Sequence, residues 1–91
     1  MPEELSIKAN GLQFRALAEG PADGVPVLLL HGLPEGAESW ALQLGALGGA
    51  GFRAVAPDLR GYGGSDAPEG ADAYHAQVLI DDVRGLLDAL Q

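Results

Sequence analysis

Residues 25–30, Val-Pro-Val-Leu-Leu-Leu, form an apolar run that stops at the turn His31-Gly32-Leu33-Pro34. The run does not alternate apolar with polar residues. A half-buried strand would alternate, so this pattern predicts a strand covered on both faces, as in a parallel sheet. Gly and Pro directly after it end the strand in a loop. In open α/β sheets, ligands bind where the carboxyl ends of strands meet their loops. The 31–34 turn is therefore the first place to look for a site.

The surrounding pattern fits that sheet. Leu5–Ala9 and Leu12–Ala18 flank Asn10-Gly11, the strongest short hairpin signal, because both turn positions need positive φ. These segments are expected as strands one and two. Residues 19–24 form a loop, and Val25–Leu30 is strand three. A helix is expected from about Ser39 to Gly49, with Trp40, Leu44 and Leu47 on one side and Gly51 as its stop. Phe52–Pro57 is strand four. Residues 58–70 read as a long loop. Asp72 is expected to cap a last helix, Ala73–Leu90, with Leu79, Val83, Leu86 and Leu90 as its buried stripe. Asp81 and Asp82 fall off that stripe and read as a solvated face. The order β-β-β-α-β-α contains one βαβ unit, which is right-handed in nearly all sheets. The expected fold class is α/β.

Charge and composition narrow the function classes. Five basic against 13 acidic residues give a net charge of −8, which argues against nucleic acid and against an anionic membrane surface. The chain has no cysteine, so disulfides and Cys-based zinc sites are excluded. His31 and His75 lack metal-ligand spacing. Met1-Pro2-Glu3-Glu4 has no basic and apolar leader character. The cytoplasm is the expected compartment. No apolar run is long enough to span a bilayer.

Three site motifs fail on inspection. A dinucleotide-binding turn needs G-x-G-x-x-G, and here Pro34 replaces the second glycine while Glu35 would face phosphate with like charge. Gly61-Tyr62-Gly63-Gly64-Ser65 lacks the Lys-Ser/Thr ending of a phosphate loop. Gly63-Gly64-Ser65-Asp66-Ala67 approaches the nucleophile elbow G-x-S-x-G. That elbow must join a strand to a helix, whereas Pro68 comes next here. Ser65 is therefore read as structural. Asp58 and Arg60 are expected to pair with each other or to hold backbone groups. Glu35 reads as a helix-start charge and His75 as exposed.

The chain resembles the α/β-hydrolase superfamily, in its epoxide-hydrolase-like branch, through HGLPE at 31–35, Trp40, and APDLRGYGGSDAP at 56–68. The resemblance implies that residues 1–91 are the N-terminal segment of a single hydrolase domain, truncated before the nucleophile elbow, and, together with the hairpin and the βαβ unit, it implies the strand order 1-2-4-3. It implies hydrolysis of an epoxide or ester through a covalent intermediate. The backbone N–H of Leu33 would then belong to the oxyanion hole, and His31, Gly32, Pro34 and Trp40 become candidates for the substrate pocket. His31 reads as a turn histidine rather than the catalytic base, and Trp40 equally as core. The nucleophile (Ser or Asp), the acid, the base and the cap would lie outside these residues. No cofactor and no metal is implied. The expected partners are a small-molecule ester or epoxide and the remainder of the hydrolase, as a separate or missing polypeptide. A second copy of the chain is a further candidate. The reading from another class is a non-catalytic remnant that binds or interacts.

Overall fold

A computed structural model describes residues 2–32 and 35–90. Its elements are β1 (Glu3–Ala9), β2 (Leu12–Glu19), β3 (Pro26–Leu28), α1 (Ala41–Gly49), β4 (Arg53–Pro57) and α2 (Ala76–Ala89). Short 3-10 turns at Ala37–Trp40 and Ala71–Tyr74 lead into the two helices. The strands form one mixed sheet in the order β1-β2-β4-β3, as expected. Asn10 and Gly11 take φ of 48° and 78°, and the two-residue turn joins β1 to β2 with Ala9 opposite Leu12. β2 also pairs antiparallel with β4, and β4 pairs parallel with β3.

The sheet separates two apolar layers. Phe14, Ala16 and Ala18 of β2 alternate inward with Ile7, Ala9 and Val55, and Leu86 of α2 covers them. On the other face, Leu17, Ala54 and Ala56 meet Ala37 and Leu44. Burying side chains such as Phe14, Val55, Leu44 and Leu86 is worth about 1.5–3 kcal/mol each against leaving them in water. The small residues on the α1 face have a reason. A Cβ at Gly48 would lie 2.9 Å from both the Glu19 Cβ and the Gly20 nitrogen, so only glycine lets α1 come this close to β2.

Three expected boundaries are corrected. Strand three is three residues long rather than six. Ladder bonds still extend past both its ends, from the Arg53 N–H to the Val25 carbonyl and from the Leu29 N–H to the Val55 carbonyl. Asp72 does not cap the last helix. It lies in the 3-10 turn, and extended His75 (φ −74°, ψ 165°) separates that turn from α2, taking the capping position. The buried stripe of α2 also differs. Leu86 is buried and Leu79 is 38% exposed, while Asp82 is 2% exposed. Asp82 is one helical turn before Leu86 and shares its inward phase. Counting only apolar residues hides that placement. Among the described residues, no helix is long and apolar enough to cross a membrane.

Candidate active-site loop

Parallel pairing sets the geometry at the carboxyl end of the sheet. Leu28 stands opposite Val55, so the chains leave β3 and β4 side by side three residues before His31 and Asp58. Two contacts then join the loops. The Leu59 N–H donates to Nε2 of His31 at 3.0 Å, and the Ala37 N–H donates to Oδ1 of Asp58 at 2.8 Å. Because Nε2 accepts, the imidazole proton sits on Nδ1, which lies 3.0 Å from the Gly32 carbonyl oxygen and donates to it. The ring is buried and meets Tyr62 edge-on at 4.9 Å between centroids. Gly32 is exposed, and its carbonyl also accepts from the Glu35 N–H at 2.9 Å. Leu33 and Pro34, the expected oxyanion donor and pocket residue, lie outside the described residues.

Asp58 is the hub of this end of the sheet. Its carboxylate is fully buried. Oδ2 accepts from the Gly64 N–H at 3.0 Å and from Nη1 of Arg15 at 2.9 Å. Arg15 also reaches Glu38 through Nη2 at 2.9 Å and Glu4 through Nε at 3.3 Å. The main chain repeats the connection. The Asp58 N–H donates to the Arg15 carbonyl at 2.8 Å, and the Arg15 N–H donates to Oγ of Ser65 at 2.9 Å. The Ser65 hydroxyl in turn donates to the Asp58 carbonyl, so it is engaged as both donor and acceptor.

Electrostatics keep this cluster ionised. Burial pushes the Asp58 carboxyl up. The Ala37 and Gly64 amides and the Arg15 guanidinium outweigh that and hold it below the usual carboxylate range. Hydrogen bonds from Arg15 likewise lower Glu38. Asp58, then Glu38, raise Arg15 above its ordinary value.

The expected Asp58–Arg60 pair does not form. Arg60 turns to α2 instead, where Nε and Nη2 grip the two oxygens of Asp82 at 2.7 and 2.8 Å. Nη1 of Arg60 donates to the Ala73 carbonyl at 2.8 Å, and Nδ2 of Asn10 donates to Oδ1 of Asp82 at 2.9 Å. Each residue does hold backbone or a charge, but with other partners. The two arginine partners are far apart in sequence from the aspartates they meet, and no local spacing announces them.

The sequence-predicted site residues are only partly assembled. His31 and Gly32 open on a groove of about 370 Å³, also lined by Leu59, Tyr62, Tyr74 and Leu79. Trp40 is not part of that lining. It packs against the α1-side core with Leu29 and Leu47, and its buried Nε1 has no hydrogen-bond partner among the described residues. His75 is exposed at the start of α2, and Glu35 is exposed. Among the described residues no group of three or more His, Asp or Glu side chains is placed to hold a metal. Sequence reasoning misses Arg15. The available signal is a lone cation in the buried alternation of β2, in a chain with only five basic residues.

Comparison with known proteins gives a consistent result. A family profile of the alpha/beta hydrolase fold matches residues 25–91. Epoxide hydrolase A of Mycobacterium tuberculosis is 45% identical over 87 residues, which are 96% of this chain and 27% of that protein. The AB hydrolase superfamily protein YfhM of Bacillus subtilis is 44% identical over 81 residues, 89% of this chain and 28% of its own length. The crystal structure of epoxide hydrolase A from Mycobacterium thermoresistibile superposes with a TM-score of 0.93 at 46% identity, covering 99% of this chain and 28% of that one. The chain thus spans little more than a quarter of the length of the relatives it matches.

Proposed function

The chain belongs to the α/β-hydrolase family, and on that footing we propose that it is the N-terminal portion of an enzyme that hydrolyses epoxides through a covalent intermediate. The observation that carries this reading is identity above 40% to proteins named epoxide hydrolases, sustained across nearly the whole chain. In this reading residues 1–91 form one part of a single domain. Leu33 offers its backbone N–H to the oxyanion that develops as the intermediate breaks down. Such a preorganised donor is worth several kcal/mol in the transition state. His31 and Gly32 shape the approach to Leu33, and Pro34 stiffens the turn beyond it. Trp40 supports the loop from the α1-side core rather than from the groove.

The nucleophile, its acid and its base come from outside residues 1–91, so these residues alone carry no turnover. The remainder of the hydrolase adds its next strand to β3. Two features support that docking. β3 is an edge strand among the described residues, and past its carboxyl end a mainly apolar groove of about 410 Å³ is lined by Leu30, Leu79, Ile80 and Val83, with His31, Asp82 and Arg84 at the same groove. A second copy of the chain is the competing occupant of this edge. The compartment proposed is the cytoplasm.

The test uses the full polypeptide that carries residues 1–91, assayed with styrene oxide and with p-nitrophenyl esters. Epoxide turnover is expected, with none from residues 1–91 by themselves. Ester turnover without epoxide turnover would move the reading to a carboxylesterase. Turnover by residues 1–91 that Ser65→Ala abolishes would overturn it.

A further inference from the structure

Two consecutive residues, Asp58 and Leu59, hold opposite ends of the same loop. The Leu59 N–H reaches Nε2 of His31, and the Asp58 carboxylate receives the N–H of Ala37. We propose that Asp58 is a positioning residue that, with Leu59, clamps His31 and Ala37, the two ends of the 31–37 segment, and that Arg15 keeps the carboxylate aimed at Ala37. Calling that segment the oxyanion loop rests on the proposed function; the clamp itself does not.

The geometry favours a dedicated device over incidental contacts. A two-point attachment fixes both position and direction of a segment, which a single bond cannot do. Both anchor points are buried: Asp58 is 0% and His31 is 8% exposed. Asp58 divides its oxygens, with Oδ1 serving Ala37 and Oδ2 serving Gly64 and Arg15. The carboxylate therefore cannot rotate toward Arg15 without abandoning a buried amide. Its own backbone is tied to β2 through the Arg15 carbonyl and Ser65. The clamp is thus anchored on a central strand. Gly63 packs directly against it, since a Cβ there would collide with the Asp58 carboxylate. Hydrogen bonds to a charged acceptor are about twice as strong as neutral ones, which suits a group whose work is to hold an amide still.

The other end has its own requirement. His31 accepts at Nε2 only while the ring proton is on Nδ1, and the Gly32 carbonyl selects that tautomer. The ring therefore works as a fixed acceptor, and its lone pair is not free to take a proton from substrate.

The test is made on the full polypeptide that carries residues 1–91, by amide exchange and by 15N imidazole shifts. In the unaltered protein the Ala37 and Leu59 amides are expected to be protected, with the His31 proton on Nδ1. Fast exchange at Ala37, or a proton on Nε2, would overturn the clamp without any variant. Asp58→Asn is expected to raise Ala37 exchange at least about tenfold while the β1–β2 hairpin stays protected. Unchanged Ala37 exchange in that variant overturns the proposal. If Asp58→Asn does not fold, Arg15→Met serves instead, with a smaller rise expected at Ala37 and none at Leu59. His31→Gln, which can place an acceptor near Nε2, is expected to keep Leu59 protected, whereas His31→Leu loses it. Activity separates the clamp from the oxyanion role. Displacing a catalytic loop by an ångström can cost on the order of 10²-fold in rate, so kcat on styrene oxide should fall, and KM with it, because the slowed step is breakdown of the covalent intermediate. An unaltered kcat beside a deprotected Ala37 keeps the clamp and sinks the oxyanion role.

Discussion

Asp58 and Asp82 are both almost completely buried, yet the regions around them are built differently. Asp82 spends both oxygens on one guanidinium and adds Asn10 from the hairpin turn. That knot joins α2, the loop after β4 and the β1–β2 turn, and its charges are matched one to one. Asp58 shares its charge between two backbone amides and one face of Arg15, which stays 24% exposed beside two further acids. The first region is a closed ion pair; the second uses a charge to orient backbone. The contrast fits their places: Asp82 lies on the inward face of α2, and Asp58 lies at the carboxyl end of the sheet, where a loop must keep its shape.

The sharpest way to break the comparison is to remove one member of the closed pair. Arg60→Met leaves the Asp82 carboxylate buried without its partner, a change that costs about 3–5 kcal/mol in comparable pairs. The double variant Arg60→Met/Asp82→Leu removes the stranded charge, and most of that loss should return. Denaturant unfolding of both variants measures it. Equal destabilisation of single and double variants would show that the pair is not a closed unit.

Gly63→Ala probes the other region. Gly63 has φ of +49°, and an added Cβ would press on the Asp58 carboxylate. The strain is expected to cost about 1–3 kcal/mol. The loss should be accompanied by faster exchange at Ala37, because the carboxylate is the part that must give way. A stability loss with Ala37 unaffected would mean that the loop around Gly63, rather than Asp58, absorbs the strain.

The two regions are not equally legible in the sequence. The hairpin and the parallel pair follow from Asn10-Gly11 and from two apolar runs flanking a helix-period segment, while the full strand order needs the family resemblance as well. Those signals are local, and local rules read them. What decides both buried aspartates is long-range: Arg15 comes to Asp58 from β2, and Asp82 comes to Arg60 from α2. Asp82 reads as solvated because it carries a charge, and only its phase with Leu86 gives it away. The short β3 escapes because Pro26 and the apolar residues after Leu28 look like strand in composition, while the pairing starts at Arg53, where β4 begins, and stops opposite Val55, two residues before β4 ends.

Acid should distinguish the regions next. Asp58 is held below the ordinary carboxylate value, about 3.9 for an unperturbed Asp. A carboxyl lowered in the folded state contributes stability above its unfolded value and loses it as pH falls through the folded one. The protein should therefore weaken as pH drops through and below the ordinary carboxylate range. Asp58→Asn, having no such proton to take up, should show a flatter profile there. Urea unfolding at a series of pH values tests this, and parallel profiles would remove Asp58 from the acid response.

The smallest effect is expected at the wet rim of the Asp58 cluster. Glu38 lies 2.9 Å from Nη2 of Arg15, and its side chain is 66% exposed. Arg15 lowers its carboxyl, so the attraction is present, but water and salt screen it: the Debye length is about 8 Å at physiological ionic strength. Exposed pairs of this kind contribute about 0–1 kcal/mol. Glu38→Gln also removes one negative charge from a chain of net charge −8, which relieves repulsion against Glu4 and Asp58 around the same guanidinium. The two effects oppose each other, so the variant should unfold within about 0.5 kcal/mol of the unaltered protein. It should leave Ala37 protected, since Oδ1 of Asp58 does not depend on Glu38. A loss as large as that of Gly63→Ala would mean that Glu38, through Arg15, aims the Asp58 carboxylate, and the rim would then belong to the clamp.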